Sequence, residues 1–272
     1  CLILVSNSTF SKSLTLSFDD GLDLSTHPQA QHINDAILNT LKQNNVHAII
    51  YPSLSKIGAN DGLGMIKQWG EQGHHIGNHG NLHLNLNKDT VSLSAYLADM
   101  QQGHQAFSTL QGFVPRYRFP FLKEGNTLEK RDGIRQWIKD HHYQSGAVSI
   151  DASDWFYNQL FLKYQQESDQ QSLIKLKQAY IFHLLDRAKY YDNLAQQTLG
   201  RSPKHVLLLH VRAINAAWLQ DIIDAFHHQG WTFIDSDTAY QDPLYNIEPK
   251  LLPAGESILW TIAKIYGIPN LR

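Results

Sequence analysis

The sequence predicts an α/β protein built on a parallel sheet that curls into a barrel of about seven β/α units. Three observations predict it. Apolar, β-rich runs recur at 13–18, 46–51, 74–77, 113–119, 145–150, 205–210 and 231–234. Between most of them lie segments with helical spacing of apolar residues, at 30–44, 63–72, 91–110, 131–142 and 215–228. Glycines fall where such helices end, Gly73 after "MIKQWGEQ" and Gly230 after "IIDAFHHQ". The count is one unit short of the commoner eight-stranded barrel.

Two segments stand outside this alternation. Residues 156–200, including "QSLIKLKQAYIFHLLDRAKYYDNLAQQTLG", carry apolar residues three and four apart and read as one long helix or a helical pair. That is a helical insertion covering the side of the barrel. Residues 241–272 hold Pro243, Pro249 and Pro253, then "ESILWTIAKIYG", a short amphipathic helix in a tail that packs back. With no linker or internal repeat in view, we expect a single domain over 1–272, its core at about 12–240.

Composition excludes several functions. The 272 residues are 42% hydrophobic, enough for a sizeable core. Net charge is -2 with no Lys/Arg run, which argues against nucleic acid. No segment approaches the ~18–20 apolar residues of a membrane span. One Cys excludes an internal disulfide framework, and 15 His suit a metal site or chemistry near neutral pH. The chain begins with Cys1, as a processed bacterial lipoprotein does, although the apolar Leu2–Val5 that follows is unlike a polar tether. The expected location is extracytoplasmic, periplasm or cell envelope, with Cys1 as a candidate lipid anchor.

Catalytic side chains of a parallel β/α barrel sit at the C-terminal ends of its strands. Five polar groupings lie there. In "LTLSFDDG", Asp19 and Asp20 end the first run, and Gly21 permits a sharp exit. One carboxylate can bind a cation while the other faces substrate, although Asp-Asp-Gly is also common in ordinary turns. In "GNHGNLH", His79 and His83 are four apart and share a face on a helical turn. Two neutral imidazoles and a carboxylate make a common set for Zn²⁺ or another transition metal, although such a pair is also found as two solvent-exposed histidines. His74 and His75 lie nearer the buried part of the strand and read as structural.

In "RYRFPFLKEG", Arg118 can pair with an Asp and hold it as a carboxylate, although the stretch taken alone reads as a surface Arg before a turn. Pro120 stiffens the loop and aims the Phe121 N–H toward a substrate oxygen. "DASDW" sets Asp154 beside the large apolar Trp155, an arrangement a helix N-cap with a core Trp would also give. "HVLLLH" closes a strongly apolar strand on His210, a general acid or base at the rim, or a satisfied core histidine.

Taken together and in this order, the five resemble the polysaccharide deacetylase family, with its NodB homology domain (carbohydrate esterase family 4). "SFDDG" is similar to the family's T/S-F-D-D-G, and "HGNLH" to H-S/T-x-x-H, with Gly80 in place of the usual Ser or Thr. "RFPF" is similar to R-x-P-Y/F, "DASDW" to D-x-x-D-W, and "LLH" at 208–210 to L-x-H. The resemblance spans roughly 12–235 and implies a distorted (β/α)7 barrel of the NodB type. It implies that Asp20, His79 and His83 bind a divalent metal, most often Zn²⁺, with Co²⁺ or Ni²⁺ able to serve. It implies Asp19 as general base, held by Arg118, and the Phe121 N–H as an oxyanion donor. Asp154 would orient His210, the general acid, while Trp155 and Leu208 line the pocket for the acetyl methyl. Gly80 removes a hydroxyl that would support the histidine loop.

The expected activity is metal-dependent removal of N-acetyl groups from GlcNAc-containing glycan. O-acetyl ester cleavage, hydrolysis of a non-sugar amide or imide, and a catalytically silent carbohydrate-binding protein are the alternatives.

Overall fold

The computed structural model describes residues 12–58 and 60–272. Cys1 and its candidate anchor role lie outside the described residues. The chain runs β1 (Lys12–Asp20), α1 (Ala30–Gln43), β2 (Ile49–Pro52), α2 (Leu54–Ile57), α3 (Asn60–Glu71), β3 (His75–Asn78), α4 (Leu93–Phe107) and β4 (Phe113–Tyr117). It continues with β5 (Lys123–Gly125), α5 (Leu128–Asp140), β6 (Gln144–Ser145), β7 (Ile150–Asp151), α6 (Asp154–Gln166) and α7 (Gln170–Leu199). The last part holds β8 (Lys204–His210), α8 (Ala213–His228), β9 (Trp231–Phe233), α9 (Ser236–Tyr240), β10 (Ala254–Gly255) and α10 (Ile258–Ile265).

The main sheet is parallel, in the order β6-β4-β3-β2-β1-β8-β7. The fold is the expected α/β class, a curled sheet consistent with a distorted (β/α)7 barrel of the NodB type. Two pairings account for the distortion. The run expected as one strand at 145–150 is split, because residues 144–151 serve both edges of the sheet. Gln144 and Ser145 pair with Arg116 and Tyr117, whereas Ile150 and Asp151 pair with Leu207 and Leu208. Within the sheet, β8 takes one edge of β1 from Ser13 to Asp19. Strands β9 and β2 share the remaining edge, at Lys12–Leu14 and Ser17–Asp20 respectively.

Burial explains why these segments are strands and helices. Leu14, Leu16 and Phe18 alternate along β1 and enter the main core, as a half-apolar strand requires. Helix α1 brings Ile33, Ile37, Leu38 and Leu41 to it, and α8 brings Ile214, Leu219, Ile222, Ile223 and Phe226. Each such side chain contributes roughly 1.5–3 kcal/mol by leaving water. Caps set the helix starts. The Ser92 side chain accepts from the Ala95 N–H, and that of Thr127 from the Lys130 N–H.

Residues 156–200 form the helical pair α6 and α7, and the long α7 buries Leu176, Tyr180, Leu184, Ala188 and Leu194. The tail does pack back. Ala254 and Gly255 pair antiparallel with the β5 segment, and the Glu256 and Ile258 amides donate to the carbonyls of Leu122 and Val148. It thereby fastens the loop that carries Phe121. No helix among the described residues is long and apolar enough to cross a membrane.

Candidate active site

Strand alternation separates the two adjacent aspartates. Ser17 and Asp19 lie on one face of β1, and both meet the Arg118 guanidinium. Asp20 would follow Phe18 to the opposite face, but its backbone turns to φ 80°, a region that non-glycine residues seldom occupy. The turn brings its carboxylate to His83, His79 and Arg212. Gly21, at φ 87°, then completes the exit.

Asp20, His79 and His83 converge so that their ligand atoms all lie within 4.8 Å of one another. Asp20 Oδ1 is 3.3 Å from His83 Nε2 and 3.9 Å from His79 Nε2. That oxygen is buried without a hydrogen-bond partner, while Oδ2 accepts from Arg212 at 2.8 Å. A buried carboxylate oxygen with nothing to accept from, facing two imidazole nitrogens, fits a cation. The tautomer fits as well. His79 Nδ1 is 2.7 Å from the Arg118 carbonyl, which only accepts, so Nδ1 bears the proton and Nε2 offers a lone pair. Burial holds the His79 imidazole well below its ordinary value and brings His83 down to about 4, so both are neutral at pH 7. Burial pushes Asp20 up. The positive charge of His210, of the other two histidines when protonated, and of Arg212 outweighs it and brings Asp20 to about 2.

The loop between the two histidines is held without a side chain at position 80. Gly80 has φ 79°, and a Cβ there would lie 2.4 Å from Asp99 Oδ2. Asp99, buried on α4, accepts the Asn81 N–H at 2.9 Å and the Leu82 N–H at 2.6 Å. A carboxylate from a neighbouring helix thus fills the space where a Ser or Thr side chain would stand.

Arg118 is fully buried with its bonds well satisfied. It donates to Asp19 Oδ1 at 2.9 Å, to Ser17 Oγ at 3.1 Å, to Tyr240 Oη at 3.4 Å and to the Gly146 carbonyl. Burial lifts Asp19 to about 6 even against the pull of Arg118. Phe121, at φ 57°, is exposed, and its ring packs edge-on against His83 at 4.6 Å. Its backbone N–H has no acceptor among the described residues.

On the other side stands His210. Asp154, fully buried at the start of α6, accepts the His210 ring at 2.6 Å and the His210 backbone N–H at 2.8 Å. Burial pushes the imidazole down, but the Asp154 charge and hydrogen bond prevail and raise it to about 9. Leu208 lies two residues back on the same strand face, and Trp155 follows Asp154. Asp19, Asp20, His79, His83, Phe121, Trp155, Leu208 and His210 all line one cavity of about 430 Å³. Arg118 and Asp154 stand behind it, each bonded to a lining residue.

A sequence profile described as polysaccharide deacetylase matches residues 6–143, half of the chain. The chain belongs to the polysaccharide deacetylase family. It is similar to a peptidoglycan-N-acetylglucosamine deacetylase of Bacillus cereus, 31% identical over 143 residues, which are 52% of this chain and 46% of that protein. The peptidoglycan-N-acetylglucosamine deacetylase PgdA of Listeria monocytogenes is 28% identical over 148 residues, 54% of this chain and 27% of PgdA. The match therefore spans less than half the length of these curated relatives. Among solved structures, Bacillus subtilis PdaA, a family 4 carbohydrate esterase, superposes with a TM-score of 0.55 at 20% identity over 85% of this chain and 81% of that one.

In this polysaccharide deacetylase family member the matched segment ends before Asp154 and His210. Their joining to the first three motifs is a finding of the structure. Reading the sequence missed four residues near the site. Arg212 lies two residues past His210, at the same strand rim, a position that could have flagged it. Asp99 is an acid within the buried helical stripe Tyr96, Met100, Gly103 and Phe107, itself a signal. Asp151 and Lys56 also line the cavity. Asp151 is a motif residue left without a role, and nothing in "SLSKIG" marks Lys56.

Proposed function

We propose that this chain is a metal-dependent hydrolase that removes N-acetyl groups from GlcNAc-containing glycan. The observation that carries the reading is the partnerless Asp20 oxygen facing two neutral imidazoles, in a cavity that Asp19 and His210 also line. Asp20, His79 and His83 would hold the ion, Zn²⁺ or in its place Co²⁺ or Ni²⁺. When bound, such an ion supplies Lewis acidity, lowering the pKa of water and polarising an acetamide carbonyl.

The chain's own residues do the rest. Asp19 takes the proton of the attacking water, and Arg118 fixes its carboxylate. The unpaired Phe121 N–H donates to the oxygen that gains charge. Trp155 and Leu208 offer an apolar wall to the acetyl methyl. An amide nitrogen leaves only as a neutral amine, so it must receive a proton as the C–N bond breaks. His210 is charged at neutral pH, and Asp154 occupies its Nδ1–H, which leaves Nε2–H as the donor. The products are acetate and a free amino sugar. The relatives named for peptidoglycan point to a cell-envelope glycan and hence an extracytoplasmic location.

The test is acetate release from chitooligosaccharides, peptidoglycan and acetylated xylan, before and after chelation. Release from the N-acetylated glycans should cease with a chelator and return with Zn²⁺ or Co²⁺. Release that survives metal removal sinks the metal-dependent mechanism, and release from xylan alone sinks the N-acetyl assignment.

A further inference from the structure

The helical insertion reaches the Asp154–His210 pair through an unbroken line of buried polar groups. On α7, the Tyr180 hydroxyl donates to Asn215 Oδ1 at 2.7 Å. On α8, Asn215 Nδ2 donates to Asp154 Oδ2 at 2.7 Å and to the His210 carbonyl at 2.8 Å. The other Asp154 oxygen accepts the His210 ring at 2.6 Å. Tyr180, Asn215 and Asp154 are all 0% exposed.

We infer that Tyr180 and Asn215 are positioning residues for His210. The inference rests on the reading of His210 as the proton donor. Buried hydroxyl and amide groups cost stability unless satisfied, and apolar side chains would fill the same space at lower cost. Here every polar atom is satisfied, and each bond leads toward the carboxylate that orients the imidazole. The amide orientation is fixed as well. Both acceptors lie on the Nδ2 side, so Oδ1 must face Tyr180, and a flipped amide would oppose two oxygens to a third. Helix α6 returns the contact, since Asn158 Oδ1 accepts the Ile214 N–H at 3.1 Å and ties the start of α8 to the start of α6. The insertion thus sets the direction in which His210 delivers its proton. Without the Tyr180 hydroxyl, Asn215 Oδ1 is left buried and unpaired, and the amide can rotate away from Asp154.

Tyr180→Phe tests this, because it removes the hydroxyl and keeps the ring against Tyr157 and Trp218. Tyr191→Phe is the control, another buried tyrosine of α7 whose hydroxyl bonds Arg187 instead. Metal-loaded protein is assayed on an N-acetyl chitooligosaccharide and on 4-nitrophenyl acetate, whose leaving group needs no proton. Tyr180→Phe should lower kcat on the acetamide about tenfold, the scale of one buried hydrogen bond, with KM unchanged. Its ester hydrolysis should equal that of the parent, as should both activities of Tyr191→Phe. The low-field Nδ1–H proton of His210 in the NMR spectrum should broaden or shift only in Tyr180→Phe. Equal losses on both substrates, or an unaltered kcat with an unaltered resonance, overturn the inference. If the parent protein cleaves no acetamide, the proposed function fails, and the resonance alone still decides whether Tyr180 orients the ring.

Discussion

Asp154 grips His210 at two points, Oδ1 on the ring Nδ1–H at 2.6 Å and Oδ2 on the backbone N–H at 2.8 Å. The imidazole, raised to about 9, is therefore charged through the neutral range. Deacetylation should hold its rate up to that region and fall above it. Asp154→Asn removes the anion and lets burial lower His210, so the alkaline limb of kcat/KM should move to lower pH. At pH 8 we expect a loss of about 10²-fold or more, the scale of general-acid catalysis. The linkage has a definite sign. A His raised in the fold stabilises fully below its unfolded value near 6.5, and that contribution fades as pH rises through about 9. Asp154→Asn should therefore cost more stability at pH 6 than at pH 10, as denaturant titrations at both pH values would show.

Binding the ion and using it are separable among these residues. His79→Ala removes a ligand nitrogen and should abolish both Zn²⁺ binding and acetate release. Asp19→Asn leaves Asp20, His79 and His83 in place, so the metal should remain while turnover falls by about 10²-fold or more. Titration calorimetry with Zn²⁺, beside an acetate assay, distinguishes the two. Equal metal loss in both variants would mean that Asp19 belongs to the ligand set.

Much of the site is legible in the sequence because its residues close strands. The end of a parallel strand is the barrel rim, so Asp19, His79, Arg118 and His210 announce themselves by standing after apolar runs. Asn215 and Tyr180 do not, because each lies on a helix and its polar role depends on which neighbour the helix faces. The same limit explains the split of residues 144–151. Composition marks them as one strand, and only closure of the sheet shows that each half pairs with a different edge.

Gly80 yields a prediction opposite to what the family pattern suggests. Restoring the usual residue with Gly80→Ser would drive a Cβ to 2.4 Å from Asp99 Oδ2 at a backbone φ of 79°. The variant should lose about 1–3 kcal/mol of stability and weaken Zn²⁺ binding through the displaced histidine loop. Gly80→Ala should show a similar loss, because the clash and the strain come from the Cβ and the backbone φ and not from the hydroxyl. Thermal melts and metal titrations of the two proteins check it. A variant as stable as the parent would show that Asp99 moves aside at little cost.

Arg118 and Asp19 form a buried pair whose members fail differently apart than together. Arg118→Met leaves a buried carboxylate without its guanidinium and takes the Arg118 donor from the Gly146 carbonyl as well, a cost of about 3–5 kcal/mol. Asp19→Asn alone leaves the guanidinium buried without its anion. Removing both charges, in Asp19→Asn with Arg118→Met, should return most of the stability, because neither ion is then stranded. Activity should stay lost, since the proton acceptor is gone. The pH dependence of the metal-free parent offers a further check. Asp19 keeps its proton to about pH 6 in the fold but releases it near 3.8 when unfolded. Over that window the native state binds more protons, so Asp19 contributes a fall in stability as pH rises from about 4 to 6. The double variant should lack that component. Were it less stable than either single variant, the pair would be contributing through more than its charges, and the buried network around Tyr240 would have to be reckoned as a unit.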